Sequence, residues 1–150
     1  MVMKNGIILL VEDNARDEAL TQRALSKCNI ANEVIVARDG VEALEYLFGS
    51  SPDGVPNPLP QLILLDLKLP RVDGLEVLRK VRDTERTRLL PIVVFTSSSE
   101  QEDIIKSFGL GANSYVRKPV DFEQFVAATS QLGMYWLMLN ECPSIDGESS

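Results

Sequence analysis

Apolar residues in this chain come in short unbroken runs, separated by longer stretches where they recur every three or four positions. Ile7 to Val11 (IILLV) is the first run, and continuous apolarity over so few residues fits a strand buried on both faces. Asn14 then stands where a helix needs an N-cap, and Ala15, Ala19, Leu20, Ala24, Leu25 and Cys28 follow at helical spacing. Glu33 to Ala37 is a second strand, and the helix before it is long enough for a parallel crossover. A second helical stripe, Val41, Leu44, Leu47 and Phe48, is cut off by GSSPDGVPNPLP over 49–60. Its four prolines exclude both helix and central strand, so this segment is expected to be a surface loop and a tolerated insertion. Leu62 to Leu65 is a third strand, followed by a loop at Lys68 to Arg71 and a helix with Leu75, Leu78 and Val81 inward. Ile92 to Phe95 is the fourth, after which Ser97-Ser98-Ser99 can cap a helix carrying Ile104, Ile105 and Phe108, ended by Gly109 and Gly111. Tyr115 and Val116 form a short fifth strand, and a last helix starts near Asp121 with Phe122, Phe125, Val126 and Leu132 on its apolar side.

Strands alternating with helices predict an α/β fold: a doubly wound, five-stranded parallel sheet with helices on both faces. Right-handed crossovers narrow the topology, and the flavodoxin-like order 2-1-3-4-5 is the expected one. Such a sheet gathers whatever follows its strands along one edge, where open α/β folds bind ligands. Here Glu12 and Asp13 follow the first strand, Asp66 the third, Thr96 the fourth, and Lys118-Pro119 the fifth. Carboxylates of this kind suit Mg²⁺, which takes one or two carboxylates together with waters and phosphate oxygens. Asp13 and Asp66 meet that need, with Glu12 as a third ligand or one acting through water. A carboxylate can also be a nucleophile, and Asp66, the central one, is the candidate to form an aspartyl phosphate. Lys118 would contact a phosphoryl oxygen as a point charge, and Thr96 would donate a hydroxyl hydrogen bond to another. Each residue alone has a plainer role: capping a helix, favouring its dipole, or staying in water. Lys-Pro after a strand also hints at a fixed turn, with a cis peptide as one option. It is the full set, in order, that makes coincidence a poor explanation.

Composition narrows the job further. The 150 residues are 45% hydrophobic and 25% charged, the size and balance of one globular domain with its own core. A formal net charge of −7 argues against nucleic acid or anionic lipid as a partner. The basic residues Arg79, Lys80, Arg82, Arg86 and Arg88 read as a solvated helix face and its exit. With no histidine in the chain, triad hydrolysis and histidine metal sites are ruled out, and any phosphohistidine must come from a partner. Cys28 and Cys142 lie in no metal-binding spacing, which suits free thiols in a reducing compartment. No secretory signal or membrane span is visible in the pattern, and a cytoplasmic location is expected.

VEDN, LLDLKLPRVDGLEVL, VVFTSS and YVRKP occur in this order, and in that respect the chain resembles the receiver domain of two-component response regulators over about residues 6 to 132. The resemblance implies that Asp66 is the phosphoacceptor. It makes Glu12 and Asp13 the acidic metal pair, and the backbone carbonyl of Lys68 a further Mg²⁺ ligand. Thr96 and Lys118 become the phosphate-contacting pair. Tyr115 falls at the family's switch aromatic, which moves inward as Thr96 turns toward the phosphoryl group; its plainer role is a half-buried strand tyrosine, and both can hold at once. Lys68 and Ser98 sit at family-variable positions that tune phosphoryl lifetime. The loop over about 49–60 and the apolar Tyr135 to Leu139 depart from a minimal receiver and look like the cyanobacterial phytochrome-associated response regulators. The domain reading that follows is a receiver over 1–132, then a helical extension and polar tail over 133–150. Phe125, Thr129, Leu132, Trp136 and Leu139 share a helical spacing that lets the last helix continue past Gly133. Its apolar remainder would cover either its own domain or a second copy, and a homodimer is expected.

These features favour a single-domain response regulator, not an enzyme on other substrates, that receives a phosphoryl group from a sensor histidine kinase. A bacterial phytochrome is one candidate for that kinase. The signal would pass to a downstream protein target through the fourth and fifth helices and the strand between them. A phosphorylation-independent scaffold is the nearest alternative, although the acids, hydroxyl and lysine are all intact. A Mg²⁺-dependent phosphatase of the haloacid-dehalogenase type would want a second Asp two residues after the first, where this chain has Lys68. A flavodoxin-like carrier would want Ser, Thr and Gly after the first strand, where this chain has VEDN.

Overall fold

The computed structural model describes residues 6–27, 33–96, 106, 109–118, 123 and 127, without the Thr96 side chain. The elements are β1 (Ile7–Val11), α1 (Ala15–Lys27), β2 (Glu33–Ala37), α2 (Gly40–Phe48), β3 (Leu62–Leu65), α3 (Gly74–Asp83), β4 (Ile92–Thr96) and β5 (Ser114–Arg117). All strand pairs are parallel, in the order β2-β1-β3-β4-β5, as the alternation predicts. Apart from Lys106, Glu123 and Ala127, which are helical, the helices expected over 97–108 and from Asp121 onward lie outside the described residues. So do Cys28, Cys142, Pro119 with its peptide bond, and the segment from Tyr135 to Leu139.

The central strands explain why their sequences are unbroken apolar runs. Every residue from Ile8 to Val11 and from Leu62 to Leu65 is buried, because both faces of the sheet are covered. Leu9, Val11, Ile63, Leu65, Ile92 and Val94 share one core with Ala43 and Leu47 of α2 and Val77, Leu78 and Val81 of α3. Ile8, Leu10, Leu62, Leu64, Val93 and Phe95 alternate to the opposite face and are buried as well. The step from β1 to β2 runs one way along the sheet and the steps to β3 and β4 run the other way. Right-handed crossovers therefore set α1 on the opposite face from α2 and α3, where Thr21, Ala24 and Leu25 are its buried residues. Each fully buried aliphatic side chain contributes about 1.5–3 kcal/mol, and β1, β3 and β4 are built almost wholly of buried apolar residues. The two strands that carry the acids are therefore firmly anchored in the core.

Helix starts follow the polar residues that precede them. Asn14 Oδ1 accepts from the Asp17 amide at 2.9 Å, Asp39 Oδ1 from the Glu42 amide at 2.8 Å, and Asp73 Oδ1 from the Glu76 amide at 3.0 Å. Each satisfies an amide that the helix itself leaves unpaired.

The 49–60 segment is a surface loop, neither helix nor central strand, as expected, and it is pinned in place. Ser50 bridges Pro56, and the Ser51 amide donates to Val55 O at 2.8 Å. Tyr46 Oη donates to Pro58 O at 2.7 Å, and Arg86 Nη1 and Nη2 donate to Leu47 O and Asn57 O at 3.0 and 3.1 Å. One expectation from the sequence needs revision: Arg82 is not a solvated residue of a helix face. Its Nε and Nη2 donate to Gly111 O at 2.9 and 2.7 Å, its Nη1 to Arg88 O and Leu90 O at 3.0 and 2.8 Å, and its Nη2 also to Asn113 Oδ1 at 3.0 Å. A guanidinium carries five N–H donors in a fixed fork, and here each donor has an acceptor.

Candidate functional site

The strand order reverses between β1 and β3, so the crevice beyond their carboxyl ends is where an α/β sheet binds ligands. Val11 and Leu65 are register partners, which places the residues that follow them side by side. The ladder continues one step past the strands, with the Glu12 amide donating to Ala37 O at 2.9 Å and the Asp66 amide to Val11 O at 3.1 Å. The acids are thereby fixed by backbone pairing instead of hanging on mobile loops. Gly74 closes the floor: its amide donates to Leu67 O at 2.9 Å, and a Cβ there would lie 2.6 Å from Leu67 Cα and collide with Asp66 O.

Glu12, Asp13 and Asp66 each place a carboxylate oxygen within 4.8 Å of the others, with Glu12 and Asp66 buried and Asp13 exposed. Lys118 reaches them from the end of β5. Its Nζ lies 2.8 and 2.9 Å from the two Glu12 oxygens, 3.0 Å from Asp66 Oδ2 and 2.8 Å from Asp17 Oδ2. The lysine side chain is only 8% exposed, so these ion pairs operate largely out of water. Burial disfavours the ammonium, but the hydrogen bonds it donates to Asp17 and Glu12 and the charge of Asp66 outweigh it, raising the lysine above its ordinary range. Burial pushes Glu12 up to about 7; the Lys118 hydrogen bond opposes this and the neighbouring Asp66 charge adds to it. A pocket with several carboxylates around one ammonium is short of positive charge, and hard oxygen donors at this spacing fit a divalent cation of the Mg²⁺ kind. The main chain of Lys68 turns toward the same place, its amide 3.2 Å from Asp66 Oδ1.

Residues 8–130 match the response regulator receiver domain. The chain belongs to this family. Among solved structures, the receiver is similar to the bacteriophytochrome response regulator AtBRR. The two are 53% identical with a TM-score of 0.78, and the match covers 91% of this chain and 99% of that one. The response regulator Rcp1 of Synechocystis sp. is 36% identical over 131 residues, 87% of this chain and 88% of its own. A solved structure of the Mn²⁺-bound form of Rcp1 has a TM-score of 0.73, with 93% of this chain and 99% of that one covered. A probable methanogenesis regulatory protein, FilR2 of Methanothrix harundinacea, is 39% identical over 137 residues, 91% of this chain and 87% of its own. The likeness to phytochrome-associated response regulators that the sequence suggests is therefore found in the comparisons as well.

Of the residues singled out from the sequence, the receiver brings together Glu12, Asp13, Asp66 and Lys118. Thr96 ends β4 opposite Arg117, at the correct sheet edge, while its hydroxyl lies outside the described residues. Tyr115 pairs with Val94 and is half-buried against the main core. Among the described residues, no helix is long and apolar enough to cross a membrane. Asp17 is the site residue that the sequence pattern does not reveal, because an acid in the first turn of a helix is commonplace. Its one sequence signal is position: it lies in the first turn of α1, close behind Glu12 and Asp13 at the end of β1.

Proposed function

We propose that this receiver is a phosphorylation-controlled switch in which Asp66 accepts a phosphoryl group from the phosphohistidine of a sensor kinase. The observation that carries the reading is the ammonium of Lys118, 3.0 Å from Asp66 Oδ2 in a strand-end pocket shared with Glu12. One Asp66 oxygen attacks phosphorus, an O–P bond forms, and the P–N bond to the kinase imidazole breaks with its electron pair going to nitrogen. Lys118 then turns an N–H from Asp66 to a phosphoryl oxygen, and Thr96 supplies its hydroxyl to another. A bound divalent cation, Mg²⁺ by the character of its ligands, would offset charge on the phosphoryl oxygens. Glu12, Asp13, Asp66 and the Lys68 carbonyl are the groups to hold it. The chain's own contribution is positioning and fixed charge, and it turns over no substrate other than its own acyl phosphate.

Similarity to bacteriophytochrome response regulators supports a phytochrome-type sensor kinase as the phosphoryl donor, in the cytoplasm where such a donor would meet it. Tyr115, half-buried at the edge of the core, suits an aromatic with two packed positions. Its movement would alter the surface offered to a downstream protein. The receiver over 1–132, the extension over 133–150 and a homodimer through the apolar Tyr135–Leu139 complete the proposal, and light scattering on Trp136→Ala tests the dimer. The central test is incubation with Mg²⁺ and acetyl phosphate. A hydroxylamine-labile adduct of about 80 Da, the mass of HPO₃, is expected in the wild-type chain. Persistence of that adduct in Asp66→Asn would refute the assignment.

A further inference from the structure

Asp17 stands apart from the other acids at this pocket. Lys118 has three N–H donors, and each has a carboxylate: Glu12, Asp66, and Asp17 at 2.8 Å. Glu12 and Asp66 belong with Asp13 to the group of oxygens close enough to share a cation, so their hold on Lys118 weakens when that cation is bound. Asp17 is not in that group. It is fixed instead by α1, where its amide is capped by Asn14 Oδ1 at 2.9 Å. Its side chain is 26% exposed, so its charge is screened less than that of a free surface acid. A loaded pocket therefore leaves Asp17 as the carboxylate still paired with Lys118, and a phosphoryl group on Asp66 must draw the ammonium against that pull.

We propose that Asp17 is a positioning residue that withholds Lys118 from the phosphoryl group and so slows phosphorylation of Asp66. The inference rests on the phosphoacceptor reading and adds a brake to it. With acetyl phosphate as donor, an Asp66 oxygen forms the new O–P bond while the donor's P–O bond breaks and acetate leaves with the electron pair. Lys118 assists by neutralising charge on the phosphoryl oxygens, and whatever share of its charge is spent on Asp17 is lost to that step.

The test measures acyl-phosphate formation by intact mass at saturating Mg²⁺ and sub-saturating acetyl phosphate. Asp17→Asn keeps the size and an acceptor while removing the charge, and Asp17→Ala removes both. Both should react about two- to fivefold faster than wild type, the size of one partly exposed ion pair. A damaged fold would slow the reaction, so acceleration cannot come from a purely structural role. In a Lys118→Ala background the Asp17→Asn change should have no effect on rate. An Asp17→Asn protein that is unchanged or slower overturns the inference, as does acceleration that persists without Lys118. If wild type itself gains no phosphoryl group, the phosphoacceptor reading fails; if wild type is labelled and Asp17→Asn is no faster, only the role of Asp17 fails.

Discussion

One ammonium surrounded by carboxylates makes Lys118 both a structural counter-ion and a group poised for chemistry, and the two roles can be separated. In metal-free protein, Lys118→Ala leaves the buried Glu12 and Asp66 without the charge that offsets them, which is costly unless they take up protons. A divalent cation supplies the missing charge. Addition of Mg²⁺ to chelator-treated protein should therefore raise the melting temperature more in Lys118→Ala than in wild type. An equal or smaller rise would show that Lys118 and the cation do not compensate for one another. At this scale the sequence reveals the residues that end strands, since Glu12, Asp13, Asp66 and Lys118 each follow an apolar run. Asp17 and Arg82 stay hidden for a physical reason. Their partners, Lys118 and the carbonyls of Arg88, Leu90 and Gly111, are brought near by the tertiary fold. In the linear pattern an acid or base on a helix looks solvated.

Elements hold the site through their ends. Asp39 caps α2 and also accepts from Arg71 Nη1 at 3.1 Å, linking the start of that helix to the loop after β3. The Glu42 amide holds the Asp39 carboxyl below its ordinary range against the effect of burial, with Arg71 adding to the shift. A depressed folded value means that the carboxylate's contribution to stability is present above the unfolded pKa and disappears as pH falls through the folded one. The melting-temperature advantage of wild type over Asp39→Asn should thus be largest at neutral pH and shrink below about pH 4. A difference that stays constant with pH would mean that the charge contributes nothing. Gly74 begins α3 directly against the Asp66 main chain, so Gly74→Ala must displace either the helix or Asp66, the proposed phosphoacceptor. Its acyl-phosphate formation should fall at least about tenfold, given what a displacement near 1 Å costs a reacting group; a rate equal to wild type would refute this. The apolar spacing of Val41, Leu44 and Leu47, and of Leu75, Leu78 and Val81, made these elements readable from sequence, while their caps at Asp39 and Asp73 were seen only in the structure. The pinning of the 49–60 loop was less readable, because it comes from Tyr46 and Arg86, which lie outside the segment.

For the molecule as a whole, the site depends on an edge strand. β5 has four residues and pairs with β4 alone, yet Lys118, which must reach across to β1 and β3, follows it directly. What keeps that edge in place is the turn before it. Asn113 Oδ1 accepts from the Ile92 amide at 2.8 Å and from Arg82 Nη2 at 3.0 Å. Gly111 has φ +96°, and Arg82 Nε is 2.7 Å from where its Cβ would stand. Arg82 therefore ties the end of α3 to the approach of both β4 and β5. Its replacement by alanine removes the donors and leaves partly buried carbonyls and the Asn113 amide oxygen unpaired, which should cost about 2–4 kcal/mol by urea denaturation. Arg82→Lys should recover little of this, since an ammonium cannot reproduce the planar fork. The loss should also be local to the edge: amide exchange at Tyr115 and Val116 should accelerate more than at Leu9 or Leu64 in the central strands. If Arg82→Ala costs under about 1 kcal/mol, or exchange rises evenly across the sheet, then the edge is held by its strand pairing and the lysine owes its position to the pocket alone.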